Sequence, residues 1–266
     1  MKGKYRFSQH SKQLIKGMIL VEKLVEDIVA WLREKATEAR VKGLIVGLSG
    51  GLDSAVVAHL MQRAYPEDAL AVIMPIHSNP VDMDHANQVV ESSGIRYTTV
   101  DLTKSHELMM ETIKSATPAG EWKEENAQIA DANLRARLRM STLYTMATNY
   151  HYLVVGTDNA AEWLTGYFTK YGDGGVDIQP IIDLTKREVQ ELAEYLGVPA
   201  EIIEKKPSAD LWTGQTDEDE MGTSYDMIDD YLDGIEIPEK DKAIIESMQR
   251  RTEHKRTIAP QFRYKK

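Results

Sequence analysis

The sequence has no cysteine and only nine prolines among its 266 residues, and it lacks long apolar runs. The missing cysteine excludes disulfides, cysteine–zinc sites and a cysteine nucleophile, and it fits a reducing compartment. The longest apolar runs, such as LIV and YLVV, are far shorter than the ~20 residues that a membrane span requires. Because the first residues, MKGKYRFSQHSKQ, contain no apolar core, we expect no signal peptide and a cytoplasmic protein.

The composition is that of a folded protein with one sizeable core, or at most two small ones. Hydrophobic residues make up 42% of the chain and charged residues 28%, which argues against disorder. The formal net charge of −10 would repel a long polyanion from most of the surface, so we expect neither a nucleic acid nor a membrane as partner. Residues 250–266 nevertheless contain seven Lys or Arg and a single Glu. This local charge indicates either a site for a small anionic ligand or a solvated basic tail.

A helical stripe runs along residues 14–32, within a predicted N-terminal helix at about 11–40. Its apolar positions are spaced alternately four and three residues apart, which places them on one helix face. They are Leu14, Met18, Val21, Val25, Ile28 and Leu32, widened by Ile15, Ile19, Leu24 and Val29. Such a face must be buried, either against its own domain or against a second subunit.

From residue 44 onward, strand and helix patterns alternate. Strands are predicted at 44–48, 70–75, 95–100 and 152–156, and helices at 53–64, 82–92 and 126–149. The alternation predicts an α/β fold with a parallel sheet covered by helices on both faces. Such sheets bind ligands at the carboxyl ends of their strands. The acidic segment TDEDE at 216–220 is typical of a mobile surface loop.

The segment GLSGGLDS, residues 47–54, lies where a predicted strand meets a predicted helix. Gly50 and Gly51 have no Cβ, so backbone N–H groups can close around an anion, and the following helix adds its positive end. No lysine follows as a Walker loop requires, and the spacing is not G-x-G-x-x-G. The segment is typical of another kind of phosphate-binding turn, but a tight turn with Ser49 or Asp53 capping the helix has the same glycines.

A second group of polar residues lies in VVGTDNAAEWLTGYFTKYGDGGVDIQP, residues 154–180. Asp158 and Glu162 are four residues apart, so we expect them to share a helix face. Glu162 could reach the same metal ion as Asp53, or it could be a solvated helix carboxylate. The glycines of TKYGDGGVD would allow a ligand to approach the backbone closely, and Asp177 could accept hydrogen bonds from a ribose or an amide.

Several of these motifs resemble a known family. SGGLDS resembles the signature of the N-type ATP pyrophosphatases, the PP-loop family, whose members cleave ATP between the α and β phosphates. Further segments are similar to ammonia-dependent NAD synthetases, in family order from about residue 40 to the C-terminus. They are ANLRARLRM (132–140), GTDNAAEWLTGYFTKYGDGGVDIQPI (156–181), LTKRE (184–188), KPSADLW (206–212), YDMIDDYLDG (225–234) and TEHKR (252–256).

The resemblance implies a Rossmann-like fold of the adenine nucleotide alpha hydrolase type, in a single domain over residues 1–266. The implied reaction is ATP-dependent amidation of deamido-NAD with ammonia, through an adenylate, with release of AMP and pyrophosphate. The implied cofactor is Mg²⁺, with ATP as co-substrate, and the implied assembly is a homodimer with the dinucleotide at its interface. Free ammonia is the expected nitrogen donor, because glutamine-dependent relatives carry a separate glutaminase domain, usually with a catalytic cysteine.

The resemblance also implies roles for individual residues. The implied ATP contacts are Gly47, Leu48, Ser49, Gly50, Gly51, Leu52, Asp53, Ser54, Thr157, Lys186 and Ser208. The implied deamido-NAD contacts are Arg137, Lys170, Asp177, His254 and Lys255. The implied metal ligands are Asp53 and Glu162.

Three positions depart from the family pattern. Leu52 stands where many members have glutamine, Ser208 where threonine is common, and Ile73 where several members place an arginine near ATP. Residues from about 205 to 222 have few apolar anchors, and we expect them to form a lid that orders when substrate binds. Other interpretations stay open at this point: a GMP synthetase-like or tRNA-modifying PP-loop enzyme, or a non-catalytic adenine-nucleotide-binding protein.

Overall fold

The fold is built on one sheet of four parallel strands. A computed structural model describes residues 9–207 and 216–264, with side chains from residue 19 onward. The strands are β1 (Gly43–Gly47), β2 (Ala69–Ile73), β3 (Arg96–Thr99) and β4 (Tyr152–Val154). They lie in the order β3-β2-β1-β4, and Leu44 of β1 pairs with Ala69 on one side and Leu153 on the other. The predicted parallel sheet is confirmed, with strand ends within two residues of those predicted.

Helices connect the strands and continue after the sheet. In chain order they are α1 (Gln9–Glu38), α2 (Leu52–Ala64), α3 (Pro80–Ser93), α4 (Thr103–Ala116), α5 (Ala127–Tyr150), α6 (Ala160–Thr165), α7 (Lys186–Leu196), α8 (Ala200–Ile203), α9 (Asp217–Met221), α10 (Tyr225–Leu232) and α11 (Glu239–Arg256), with a 3-10 turn at Glu124–Asn126. Local signals set their ends. At α3, the Asn79 side chain accepts a hydrogen bond from the Val81 N–H at 3.1 Å, and Gly94 ends the helix in left-handed conformation.

Alternate side chains of the strands fill two apolar layers. Leu44 and Val46 of β1 are buried in the larger layer, together with α1, α2 and α7. Ile45 is buried in the opposite layer, with Leu143 and Ala147 of α5. The sheet is therefore covered on both faces, as predicted. This explains why the two central strands, β1 and β2, are continuously apolar rather than alternating.

The later part of the N-terminal stripe packs on its own domain. Val25, Ile28 and Leu32 are buried in the layer with α2 and α7. Earlier in the helix, Ile19 and Leu20 are 58% and 61% exposed, so the described part of the chain leaves these two side chains largely uncovered. Leu14, Ile15 and Met18 lie outside the described side chains. Although α1 has 30 residues, no helix in the described ranges is long and apolar enough to cross a bilayer.

A third apolar cluster lies beside the sheet and joins α6, α9, α10 and α11. Its buried members are Ala161, Met221, Tyr225, Ile228 and Ile245. The prediction of a mobile loop at 216–220 is wrong for most of that segment, because residues 217–221 form α9. Thr216 caps this helix by accepting a hydrogen bond from the Asp219 N–H at 3.2 Å. Met221 anchors the acidic helix in the cluster, which sequence composition did not reveal.

The strand order creates a crevice at the carboxyl ends of the strands. The chain leaves β1 toward β2 on one side, whereas β4 lies on the other side of β1. The connections that leave the carboxyl ends of β1 and β4 therefore diverge. Parallel sheets bind their ligands at such a switch point.

Candidate active site

A cleft of about 800 Å³ opens at the carboxyl ends of β1, β2 and β4. It is lined by the turn after β1, the loop after β2 and the segment after β4, which contain Asp53, Met74 and Thr157. Helices α5 and α7 contribute Arg139 and Lys186. A cleft of this volume is within the range of small-molecule sites.

The glycine turn after β1 has a backbone that only glycine adopts without strain. Gly50 has a φ of 81°, in the left-handed region. A Cβ added there would lie 2.5 Å from the carbonyl oxygen of Asp82 in α3. Helix α2 begins directly after Gly51, which is its N-cap, so neither Ser49 nor Asp53 caps it. The structure therefore does not show the alternative turn in which Ser49 or Asp53 caps the helix.

The two serines of the turn hold its shape. Ser49 Oγ accepts a hydrogen bond from the Gly51 N–H at 3.2 Å, and Ser54 Oγ donates to the Gly51 carbonyl at 3.0 Å. The two hydroxyl oxygens lie 3.0 Å apart. The turn and the first residues of α2 line the cleft, so the positive end of that helix faces it. This arrangement is suited to an anion.

One ammonium and two carboxylates meet beside this turn. Lys186 Nζ lies 2.6 Å from Asp53 Oδ2 and 3.6 Å from Glu162 Oε1. The three side chains are 7%, 17% and 15% exposed. Asn159 Nδ2 donates to Asp53 Oδ1 at 2.9 Å. The fold thus brings together three residues that the sequence places on separate helices.

The cluster contains two acidic groups and one basic group in a largely buried position. Burial, followed by the charge of Asp53, raises the pKa of Glu162 to about 8. Burial by itself would lower the pKa of Lys186, but Asp53 and Glu162 outweigh it and raise that pKa above its ordinary value. Lys186 is therefore charged at neutral pH, and a further cation would favour the ionised form of Glu162.

Capping boxes place two of these side chains at the cleft. At α6, the Asn159 side chain accepts from the Glu162 N–H at 3.1 Å, and the Glu162 carboxylate accepts from the Asn159 N–H at 3.2 Å. At α7, Thr185 and Glu188 make the same reciprocal pair, at 3.3 and 2.8 Å. Glu162 and Lys186 therefore stand in the first turns of two helices that begin at the crevice.

Asp158 does not share a helix face with Glu162, because α6 begins only at Ala160. That prediction is wrong, since Asn159 occupies the N-cap and ends the helix there. Asp158 still lines the cleft, 4% exposed, and Gln179 Nε2 donates to it at 3.3 Å. Burial, together with the charges of nearby carboxylates, raises the pKa of Asp158 well above its ordinary range.

The residues assigned to ATP by resemblance lie mainly at the cleft. Thr157, Lys186 and the turn residues other than Gly50 line it, as do Leu52 and Ile73, two of the departures from the family pattern. Gly50 lies behind them against α3. Ser208 lies outside the described residues, as does the central part of the predicted lid.

The residues assigned to deamido-NAD are more dispersed. Lys255 lines the cleft, and its Nζ donates to the carbonyl oxygens of Gly166 and Phe168 at 2.7 and 2.6 Å. Lys170 Nζ donates to the His254 carbonyl oxygen. The His254 side chain is exposed. These contacts bring Lys170, His254 and Lys255 to one side of the cleft.

Arg137 and Asp177 do not line the cleft within the described ranges. Arg137 is exposed on α5. Both Asp177 oxygens accept hydrogen bonds from the protein: Oδ1 from the Tyr144 hydroxyl at 2.9 Å and Oδ2 from the Val154 N–H at 2.8 Å. The roles of Arg137 and Asp177 in dinucleotide binding remain predictions.

Arg139 is a cleft residue that sequence reasoning missed. Its Nε donates to the Met74 carbonyl oxygen at 3.0 Å, and burial lowers its pKa to about 10. It lies four residues from Leu143 and seven from Ala132, which are both buried. Helical periodicity within ANLRARLRM was therefore the signal that distinguishes Arg139, facing inward, from the exposed Arg137.

The basic segment at 250–256 is the last part of α11, and two of its cations are not solvated. Arg256 Nη1 donates to the Trp163 and Leu164 carbonyl oxygens at 2.9 and 3.2 Å. With Lys255, it neutralises carbonyl groups at the end of α6. The sequence alternative of a solvated basic tail is wrong for these two residues.

Comparisons with known proteins agree on one family. The sequence profile described as NAD synthase matches residues 24–260. The chain is 57% identical over 237 residues to the NH(3)-dependent NAD(+) synthetase of Alkaliphilus metalliredigens, covering 89% of this chain and 96% of that protein. The protein of the same name from Methanocaldococcus jannaschii is 43% identical over 257 residues, covering 90% and 96%.

Solved structures show the same fold. An NMN synthetase from Francisella tularensis superposes with a TM-score of 0.85 at 39% identity, covering 92% of this chain and 99% of that one. An NH3-dependent NAD synthetase from Campylobacter jejuni, in complex with nitrate, gives a TM-score of 0.73 at 27% identity, covering 91% and 99%. With the profile spanning the sheet, the glycine turn and the charged cluster, the chain belongs to the NAD synthase family.

Proposed function

We propose that this protein is an ammonia-dependent NAD synthetase, which amidates deamido-NAD and converts ATP to AMP and pyrophosphate. The observation that carries the proposal is the cleft at the switch point, where the glycine turn and the charged cluster of Asp53, Glu162 and Lys186 face one space. The names of the curated relatives support the same reaction. The other PP-loop activities and a non-catalytic role are not favoured, because the profile match spans residues 24–260.

The proposed chemistry solves a leaving-group problem. A carboxylate does not react with ammonia at neutral pH, because hydroxide leaves poorly. In the first step, an oxygen of the nicotinate carboxylate bonds to the α-phosphorus of ATP, and the bond to the β-phosphate oxygen breaks. In the second step, the ammonia nitrogen attacks the carbonyl carbon, AMP leaves, and the nitrogen loses a proton. Neither step needs a side-chain nucleophile, so the protein acts by positioning and charge stabilisation.

The described residues are suited to the first step. The turn at 47–54 and the start of α2 would hold the departing pyrophosphate through backbone N–H groups. Lys186, charged at neutral pH, would stabilise the negative charge that develops on the phosphates. Lys255, which is assigned to the dinucleotide, lines the same cleft.

The residues at the cluster fit Mg²⁺. Glu162 has a raised pKa because its carboxylate is buried near Asp53, and a divalent cation would relieve that unfavourable charge. No three acidic or histidine side chains form a metal site within residues 9–207 and 216–264. Mg²⁺ is commonly held by one or two carboxylates plus phosphate oxygens and water. Asp53 and Glu162 would hold the ion, which would neutralise phosphate charge when bound.

The proposal extends to deamido-NAD binding and assembly. Arg137, Lys170, Asp177, His254 and Lys255 are assigned to the dinucleotide. Since Arg137 and His254 are exposed, the substrate would extend beyond the described cleft, toward a second subunit of a homodimer. We place this dimer in the cytoplasm.

The test is a single assay with deamido-NAD, ATP, Mg²⁺ and ammonium. We expect one AMP for each NAD formed. Appearance of ADP and orthophosphate instead would contradict the pyrophosphatase mechanism. Glutamine in place of ammonium should give no product, because the chain has no cysteine to serve as a glutaminase nucleophile.

The same assay checks the identity of the acceptor. The Francisella tularensis structure is titled an NMN synthetase, so nicotinate mononucleotide is the informative competitor. We expect deamido-NAD to have the higher kcat/KM. Preference for the mononucleotide would reassign the substrate while leaving the amidation chemistry in place.

A further inference from the structure

The motif YDMIDDYLDG, residues 225–234, contains buried polar side chains that the proposed reaction does not yet use. The first part of the motif forms α10. Tyr225 and Asp229 are 4% and 0% exposed and lie four residues apart, so they share one face of this helix. Neither residue belongs to the described lining of the cleft. Both instead contact residues of the charged cluster or the start of α7.

Asp229 holds the start of α7. Its Oδ1 accepts a hydrogen bond from the Lys186 N–H at 3.1 Å, and its Oδ2 accepts one from the Arg187 N–H at 3.0 Å. These are the first two N–H groups of the helix, which have no partner inside it. The third N–H group, that of Glu188, donates a hydrogen bond to the Thr185 hydroxyl oxygen at 3.3 Å. A carboxylate from a neighbouring helix therefore fixes the main chain from which the Lys186 side chain projects.

Tyr225 contacts the ammonium end of the Lys186 side chain. Lys186 Nζ lies 4.8 Å from the centroid of the Tyr225 ring, a cation–π distance. The Tyr225 hydroxyl lies 3.3 Å from Glu162 Oε1 and 3.2 Å from Asp217 Oδ2. One face of α10 therefore contacts both the main chain and the ammonium of Lys186.

We propose that Tyr225 and Asp229 are positioning residues: Asp229 fixes the main chain of Lys186, and Tyr225 fixes its ammonium beside Asp53 and Glu162. The inference rests on the proposed function for the step that Lys186 assists. Charge stabilisation depends on placement, and a displacement of about 1 Å can cost ~100-fold in rate. The competing explanation is that the two residues only stabilise the fold.

Binding of a non-hydrolysable ATP analogue with Mg²⁺, measured by calorimetry, separates the two explanations. In Asp229→Asn, an amide N–H faces a backbone N–H, so the start of α7 shifts. We expect the Kd to rise about 5-fold, the effect of losing one ordinary hydrogen bond. Asp230→Asn is the matched control, because Asp230 is on the same helix but its carboxylate contacts the Arg187 side chain and, within the described residues, no main-chain N–H of α7. It should leave the Kd within about 2-fold.

A double-mutant cycle with Lys186→Ala makes the test specific. If Asp229 acts through Lys186, Asp229→Asn should change the Kd less than about 2-fold once the lysine is absent. Equal effects in both backgrounds would overturn the proposal, because a purely structural residue weakens binding whether or not Lys186 is present. Since the cycle measures binding of the analogue, it remains informative even if the protein fails to amidate deamido-NAD.

Tyr225→Phe keeps the proposal testable if Asp229→Asn does not fold. It removes the hydroxyl but leaves the ring beneath Lys186, and Tyr231→Phe is the control in the same helix and cluster. We expect Tyr225→Phe to lower kcat about 10-fold and to change KM for ATP less than about 3-fold. Melting midpoints of the two variants should agree within a few degrees. A loss of kcat no larger than that of Tyr231→Phe would contradict the role of Tyr225.

Discussion

At the scale of single residues, conformation and charge at the cleft are set by close neighbours. Gly50 combines a φ of 81° with a backbone carbonyl 2.5 Å from the site of any added Cβ. Gly94, at the end of α3, has a similar φ of 68°, but a Cβ added there would meet no described atom within 4 Å. The two positions therefore separate the cost of a left-handed backbone from the cost of close approach.

We predict that Gly50→Ala lowers the free energy of unfolding by roughly 3 kcal/mol and abolishes tight ATP binding, because the Asp82 carbonyl must move. Gly94→Ala should cost only about 1 kcal/mol, from backbone strain alone. Urea denaturation of both variants measures the difference. Equal losses would show that the contact with α3 does not constrain the turn.

The raised pKa of Glu162 gives a second prediction at this scale. Because the folded-state pKa of about 8 exceeds the ordinary 4.5, the folded protein holds this proton more tightly than the unfolded chain. Its stabilising effect is complete below pH 4.5 and is lost as the pH rises through 8. In the absence of metal, Glu162→Gln should therefore be more stable than the wild type at pH 8, by roughly 1–2 kcal/mol.

Thermal unfolding between pH 4.5 and 8.5 measures this effect. The variant and the wild type should converge toward the acidic end. Added Mg²⁺ with ATP analogue should stabilise the wild type and not Glu162→Gln. A variant that is less stable at every pH would contradict the inferred charge balance.

At the scale of elements, α11 holds the end of α6 through main-chain contacts. Arg256 donates to the Trp163 and Leu164 carbonyl oxygens, and Lys255 donates to those of Gly166 and Phe168. These two helices share the third apolar cluster. The position of α6, and with it Glu162, therefore depends on a helix that is distant in sequence.

We predict that Arg256→Ala lowers the free energy of unfolding by about 2 kcal/mol, because it leaves several half-buried carbonyl groups without their charged donor. Arg250→Ala is the matched control on the same helix, since the Arg250 side chain is 70% exposed and, in the part of the chain that the structure describes, pairs with Glu246 alone. It should cost less than about 0.5 kcal/mol. Chemical denaturation of both variants tests this. Similar losses of unfolding free energy would show that α11 does not hold α6 in place.

At the scale of the whole molecule, α1 is buried along one part and exposed at two apolar side chains within the described residues. Val25, Ile28 and Leu32 are buried within the chain, whereas Ile19 and Leu20 are more than half exposed. The two alternatives for the sequence stripe therefore apply to different parts of it. Its later part packs on its own domain, and its earlier part is available to a second subunit.

We predict a homodimer in solution, with Ile19 at or near the interface. Sedimentation equilibrium should give twice the chain mass at assay concentration. Ile19→Lys should weaken association about 10-fold or more, whereas Glu22→Lys, at an exposed position on the same helix, should weaken it less. A fully active monomer would contradict both the assembly and a substrate site that needs two subunits.

The sequence by itself determined the parallel sheet and the glycine turn after its first strand. These features are local: apolar runs, glycines at a strand–helix junction and capping residues follow from neighbours within a few positions. Only the tertiary structure decided which charges meet. Asp53, Glu162 and Lys186 converge because three helices begin at one crevice. Contacts between distant segments also bury α9, turn one face of α5 inward and let α10 hold the start of α7. No local pattern in the sequence encodes these contacts.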